Sequence, residues 1–433
     1  MSNKSLGNAD PVPSMLRDDS VLIEVDGAIR RIRLDDLMDS INSGQQQLLR
    51  QVAWGVPIKQ DASSPDWGVI GNRQMWTEYK SHIGRFLLTN AGNAAKLSAQ
   101  DSSVFADGTA LDETKGHVMF IAPRLYYLVQ TDAVTGVPTL WMSQIPIGGH
   151  YIEQSCFGAY MGSMSGTAFT SRSNVKPTGS KTINAFWNAA QVNGANFGLQ
   201  SYDHRKLMVM LLLSEFGNPN CQSKIGYGVG GSVGKDLWAT ASTFLTGATQ
   251  SNGDACVANA IDVVNGEIVG VDCSRVSLFG IEDPWGWMWE MVQGIFFGTS
   301  GNAEQDGTEA FIYDGNRMPT TDELASHPTG DFRRLTKPST SGYIKQMILG
   351  EFFDILPAAI GGGSTSYWCD YYYANGVGQL GLWGGYASHG PNAGLGFASA
   401  NAAWSLSHST YGSRLAYYGK ISFMSGAELM AIS

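Results

Sequence analysis

Side chains able to do chemistry are scattered along this 433-residue chain and do not fall into a recognised catalytic spacing. Gly226-Tyr-Gly-Val-Gly-Gly231 fits the G-x-G-x-x-G pattern that cradles a dinucleotide pyrophosphate. No strand leads into it, however, and no acidic residue follows about 20 positions on in a βαβ setting. Gly234-Lys235 ends like a phosphate loop, yet Val229 stands where the loop needs glycine and Asp236 where it needs a hydroxyl. Gly162-Ser-Met-Ser-Gly166 centres neither serine in the G-x-S-x-G spacing of a nucleophile elbow. The histidines (His82, His117, His150, His204, His327, His389, His408) include no i,i+4 pair that could grip a metal from one helix face. Tyr202-Asp203-His204-Arg205 reads as a capping and surface cluster in the first turn of a helix. Cys156, Cys221, Cys256, Cys273 and Cys369 are odd in number and never form Cys-x-x-Cys, so neither a zinc site nor a disulfide framework is expected. One bridge, for instance Cys256 with Cys273, stays open. The expectation is no catalytic constellation, no metal and no cofactor.

Two segments carry more. In Gly280-Ile-Glu-Asp-Pro-Trp-Gly-Trp-Met-Trp-Glu-Met-Val292, Trp285, Trp287 and Trp289 alternate, which on a strand puts three indoles on one face. The second segment runs from Gly361 to Lys420, with Asp370 as its only acidic residue and Arg414 as the next charged one. Within it Phe397, Ser399 and Asn401 alternate with Ala398 and Ala400, and Leu406, His408 and Thr410 alternate with Ser407 and Ser409. Small residues hold the backbone while chemically unrelated side chains occupy the places between. A core strand would show apolar residues at every second place. The pattern therefore reads either as a binding surface or as a Gly/Ala/Ser loop with unrelated surface residues.

Both segments resemble one family. The order Gly286, Trp289, Glu290 is similar to the Gly-Asn-Val-Trp-Glu-Trp signature of the formylglycine-generating-enzyme branch of C-type-lectin-like folds. The run Gly384-Gly385-Tyr-Ala-Ser-His-Gly-Pro-Asn-Ala-Gly-Leu395, with Asn401-Ala-Ala-Trp404 and Tyr411-Gly-Ser-Arg-Leu415, resembles the C-terminal region of diversity-generating-retroelement variable proteins. Phage tail-tip tropism determinants are the best-known of these. The resemblance covers roughly 150 to 433 and is weak before 150. It implies a C-type-lectin-like domain whose ligand-facing positions are rewritten by adenine-directed mutagenesis, within a variable region at about 366–411. Tyr371, Tyr373, Asn375, Leu380, Tyr386, Ser388, His389, Phe397, Ser399, Asn401, Leu406, His408 and Thr410 are then the expected ligand-binding positions. Tyr371, Tyr373 and Tyr386 are natural anchors, because tyrosine offers large rigid amphipathic area at low entropy cost. Tryptophan lies outside the alphabet that adenine-directed changes reach from asparagine codons, so Trp383 and Trp404 read as scaffold. Trp285, Trp287, Trp289, Glu290 and Arg414 join them. Oxidases of the formylglycine branch use two cysteines near the domain's end, where this chain has only Cys369, so that activity is not expected.

The elements that must position these residues are legible in part. Val21–Val25 and Ala28–Arg33 read as a hairpin turning at Asp26-Gly27. Leu34, Leu37, Ile41 and Leu48 then read as an ordinary amphipathic helix or a short neck at a symmetry axis. Residues 51–149 show short strands, including His117–Ala122 and a pair, Leu125–Gln130 with Leu140–Gln144, turning near Gly136. Residues 181–192 look helical, and a second helix runs from the N-cap Ser201 to Phe216 with Gly217 as its stop. Long Gly-, Ser- and Asn-rich stretches follow. The fold class is α+β: a C-terminal C-type-lectin-like domain over 150–433, a β-rich intermediate module over 51–149, and a virion-attachment or oligomerisation segment over 1–50.

Composition narrows the function classes. Lys+Arg number 28 and Asp+Glu 38, a net charge of −10 with no basic block, so nucleic acid is not an expected partner. The longest apolar run, Leu207–Leu213, is far too short to span a bilayer. The N-terminus lacks an apolar signal segment. Together with the resemblance, this predicts a phage tail-fibre tip protein, a homotrimer made in the bacterial cytoplasm and carried in the virion. It would attach to other tail proteins through its N-terminal region and bind a host cell-surface protein or glycan. A fixed-specificity lectin-like adhesin of the same fold is the alternative, and no enzyme activity is expected.

Overall fold

The computed structural model describes residues 20–25, 28–33, 44, 48–232, 235–261, 263–264, 267–268, 272–298, 308–313, 315, 317–325, 331–374 and 379–432. The expected turn at Asp26-Gly27, most of the amphipathic segment after Leu34, and Asn375 lie outside these residues. Strands Ser20–Val25 and Ala28–Arg33 pair antiparallel, Ser20 opposite Arg33.

The chain is mixed and mostly β. One sheet orders the strands His150–Ile152, Leu125–Thr131, Pro138–Ser143, Trp54–Pro57 and Ile70–Gly71. A second orders Phe197–Leu199, Leu415–Tyr417, Ser155–Gly158, His117–Ala122, Gly84–Leu88, Asn93–Lys96 and Ser422–Phe423. The third runs Phe332–Thr336, Glu309–Tyr313, Trp289–Phe297, Leu380–Gly384, Gly394–Ala402, Tyr371–Tyr373, Gly342–Leu349 and Asp354–Ile360, with Tyr411–Gly412 alongside Trp289–Phe297.

Strand His117–Ala122 pairs with Ser155–Gly158, and Ser422 lies opposite Asn93. One apolar core reaches from Trp54 through Tyr127 and Leu212 to Ala416. The domain boundary expected at 149/150 therefore runs through a shared sheet and a shared core. Strand periodicity reports that a strand exists, while its neighbours come from chain segments far away, and that is why the sequence did not show this.

Helix Tyr202–Phe216 is the spine of that core. Ser201 accepts from the His204 N–H, the His204 ring accepts from the Ser201 N–H, and Gly217 closes the helix in the left-handed region at φ 57°. His204 takes the place that Glu usually fills in this reciprocal cap. Residues Leu207 to Leu213 are all buried, so the middle of this helix has no solvent face. The Tyr202–Arg205 cluster caps the helix as read from sequence but is not at the surface. Tyr202, His204 and Arg205 are buried, because the first turn is covered by the sheet of residues 289–297 and by Tyr418. Helix Ile183–Gln191 starts from Thr182, whose side chain accepts from the Ala185 N–H. All five cysteines are free thiols. Among the described residues no helix is long and apolar enough to cross a membrane.

Candidate ligand-binding surface

The segment after Gly361 builds its surface on two neighbouring strands. Tyr371–Tyr373 pairs in parallel with Gly394–Ala402, Tyr373 opposite Ser399. Side chains alternate across a strand, so Tyr372 is buried in the core while Tyr371 and Tyr373 emerge half-buried on the other side. There they join an aromatic cluster. Tyr371 and Tyr373 lie 5.1 Å apart, Tyr373 is 5.6 Å from His389, and His389 meets Tyr386 edge-on at 4.6 Å. Phe397 and Trp289, 4.6 Å apart, form the floor. Offset and edge-to-face pairs of this kind contribute about 0.5–1.5 kcal/mol each beyond burial, which holds the rings in place.

His389 offers a defined hydrogen-bonding state. Its Nδ1 accepts from the Tyr386 N–H at 3.0 Å, so in the neutral ring the proton sits on Nε2. Burial pushes its pKa down to about 4, so at neutral pH it presents an N–H donor without charge. Beyond the platform, Asn401 is exposed and accepts from the Ser399 hydroxyl at 2.7 Å. Leu406 and His408 are also exposed. A cleft of about 240 Å³ is lined by Ser409, next to His408 in the chain, and by Trp238, Trp287 and Met288 among others.

Several expected ligand positions are not on this surface. Leu380, Phe397 and Ser399 are fully buried, and Thr410 is 3 % exposed. The alternation along Gly394–Ala402 does separate two faces: Ala398 and Ala400 pack into the core of Trp383 and Leu395, and Phe397 into that of Trp289 and Leu382. The second face is closed because Tyr371, Tyr373 and His389 lie over Phe397. Thr410 is held inside by its carbonyl, which accepts from the Trp289 N–H, and by its hydroxyl 2.8 Å from His408 Nδ1. The positions that reach solvent together are Tyr371, Tyr373, Tyr386, Ser388, His389, Asn401, Leu406 and His408. Sequence reading missed Tyr343, which meets Tyr371 edge-on at 5.1 Å and whose hydroxyl donates to Asn392 Oδ1 at 2.6 Å, and Trp238, whose Nε1–H donates to Ser409 Oγ at 3.1 Å. Neither carries a local signal, since Trp238 is 171 positions from its partner.

Below the surface sits a buried ionic network. Glu290 accepts from Arg414 Nε and Nη2 at 3.0 and 2.7 Å on one oxygen. Its other oxygen accepts from Arg205 Nη1 at 3.0 Å and Gln200 Nε2 at 2.5 Å. Arg414 also donates to the carbonyls of Gly158, Ala159, Glu282 and Asp283, and Arg205 to those of Pro284 and Leu395. This ties the long helix, the strand from Trp289, the variable segment at Leu395 and the chain just after it at Arg414 to one carboxylate. The three alternating indoles do not share a strand face: residues 284–286 form a bend and the strand begins at Trp289. Trp285, Trp287 and Trp289 enter three separate apolar clusters. The Arg275 guanidinium covers Trp287 at 4.1 Å while bonded to Glu282 and Asp283. Trp383 and Trp404 are buried, the latter donating to Asn184 Oδ1 at 3.2 Å.

Asp370 lies at the seam between the two strands, buried, accepting from the Gly396 N–H at 2.7 Å. A Cβ on Gly394 would collide with its carboxylate, so only glycine fits there. Burial raises this carboxyl to about 7. Cys369 beside it is buried and its thiol is pushed up to about 12, so it is held as the unreactive thiol. Among the described residues no group of three or more His, Cys, Asp or Glu side chains is placed to hold a metal ion. The surface therefore offers aromatic faces, hydroxyls, an amide and the neutral imidazole of His389 on a rigid base.

No protein-family model matches the chain, and no curated protein matches it. Among solved structures, the Major Tropism Determinant P3c Variant is similar over 92% of this chain and 91% of its own, at 11% sequence identity and a TM-score of 0.26.

Proposed function

We propose that this chain is a phage receptor-binding protein of the tail-fibre tip, binding rather than catalytic, whose C-type-lectin-like domain presents a diversified surface to a host cell-surface protein or glycan. The observation that carries the reading is the contrast in one segment. Tyr371, Tyr373, Tyr386, His389, Asn401, Leu406 and His408 reach solvent, while the carboxylate and two guanidiniums that fix the backbone beneath them are fully buried. The exposed positions Asn401, Leu406 and His408 can change with stability effects within about 0.5 kcal/mol on such a base. A homotrimer carried in the virion, attached to other tail proteins through residues 1–50, would present several copies and raise avidity about 10²–10⁴-fold.

Deep sequencing of codons 366–411 in a propagated population tests this. Adenine-derived substitutions confined to the solvent-reaching positions support it; a near-invariant profile overturns diversification. One observation favours the second reading, a fixed lectin-like adhesin. Leu380, Phe397, Ser399 and Thr410 occupy expected variable places yet are buried, where substitution is costly. In that case the same sequencing is flat and binding follows one saccharide.

A further inference from the structure

A second recess, about 770 Å³ in volume, lies away from the aromatic platform and shares no residue with it. It opens where strand His150–Ile152, the first turn of the long helix, the edge strand Phe332–Thr336 with its neighbour Glu309–Tyr313, and the residues around Tyr418 converge. Its size falls in the range of small-molecule sites, about 300–1,000 Å³.

Two exposed rings stand at it: Tyr151 is 52% exposed and Tyr418 44%. Tyr418 is a fixed platform. Its hydroxyl donates to the Leu199 carbonyl at 2.6 Å, and the His204 ring lies nearly parallel to it at 13°. Tyr151 is steadied by the Arg124 guanidinium 4.8 Å from its ring centre. An exposed tyrosine offers an apolar ring face together with a hydroxyl, and two of them stand at the same recess.

Most of the charges lining the recess are matched in pairs, with Lys420 adding one further cation. Lys206 bonds Asp203 at 3.1 Å, Arg333 bonds Asp354, and Glu153 is bonded by Arg124 at 2.6 Å. Donors and acceptors are thus dense while the net field is small. An anion entering would meet the carboxylates of Asp203 and Glu153, and a cation would meet Lys206 and Arg333. A ligand that gives and accepts hydrogen bonds without charge, and has apolar faces to lay on tyrosine, suits both features.

We propose that this recess binds a neutral oligosaccharide, with sugar C–H faces against Tyr151 and Tyr418 and hydroxyls bonded to Asp203, Lys206 and Arg333. The assignment stands independently of the role given to the variable surface.

The test is saturation-transfer NMR and titration of the full chain with maltotriose, chitotriose and 3′-sialyllactose. At least one neutral probe is expected to bind, and Tyr151→Ala to weaken it about tenfold or more, which is about 1.4 kcal/mol. Asp203→Asn is the second variant, read beside its thermal melt because Lys206 loses its partner. Tyr386→Ala, on the variable surface, is expected to leave this binding within about twofold. The proposal is overturned if neither neutral probe binds, if both folded recess variants bind as wild type, or if Tyr386→Ala abolishes binding. Tenfold preference for the sialylated probe also overturns it, through the charge argument.

Discussion

Replacing Glu290 by glutamine tests whether one carboxylate holds the ligand surface together. Glu290, Arg205 and Arg414 are each fully buried, and three guanidinium N–H groups donate to the two carboxylate oxygens. Hydrogen bonds to charged groups contribute about 1.5–3 kcal/mol each, which sets a gross loss of about 5–9 kcal/mol. The carbonyls that both guanidiniums keep offset part of it. Breaking a buried ion pair by removing one partner costs about 3–5 kcal/mol, and that is the expected loss here. A glutamine has one acceptor oxygen, so one guanidinium must face its NH₂, donor against donor. At ~2 °C per kcal/mol for a large cooperative unit, Tm falls by about 6–10 °C. Differential scanning calorimetry, with Gln200→Ala as a milder comparison, reads this directly. A fall of less than about 2 °C, with the fold intact by circular dichroism, would refute the idea that Glu290 neutralises both cations.

Other outcomes follow from burial and linkage. Phe397→Ala is expected to cost about 3–5 kcal/mol and Asn401→Ala less than about 0.5, although both sit in the alternating set; urea unfolding of the pair separates floor from surface. Burial keeps the Asp370 carboxyl protonated up to about 7, whereas its ordinary value is 3.8. The folded state then binds more protons than the unfolded one, so stability falls as pH rises from about 4 to about 7. Asp370→Asn should flatten that slope and be relatively more stable at pH 8 than at pH 5. Unfolding at both pH values checks it, and an unchanged slope in the variant counts against the argument. Asp254 and Asp283, each raised to about 6, add slopes of the same sign and remain in the variant. Finally, Tyr386→Ala with His408→Ala should weaken binding to host cells at least tenfold, about 1.4 kcal/mol, with Tm lower by about 2–6 °C as the Tyr386 ring contacts to His389 and Trp238 are lost and the fold stays intact by circular dichroism. Equal binding by the double variant would remove these positions from the ligand surface.

The amino-acid order by itself determined the local elements and little beyond them. Ser201 and Gly217 bound the long helix where their capping chemistry says, because a cap is made within a few residues of the helix end. Strands His117–Ala122, Leu125–Thr131 and Pro138–Ser143 follow from apolar β-formers between turns. The two-residue alternation after Gly394 does mark two strand faces.

Tertiary structure alone decided which face is open. Phe397 is closed over by rings from residues 371, 373 and 389, so the same alternation that marks a surface in isolation marks a floor in the fold. It also sent three neighbouring tryptophans to three clusters and joined Glu290 to Arg205 and Arg414, 85 and 124 positions away. Caps and periodicity act over a few residues. Burial and charge pairing depend on what the chain later stacks on a face, and no spacing in the sequence encodes that.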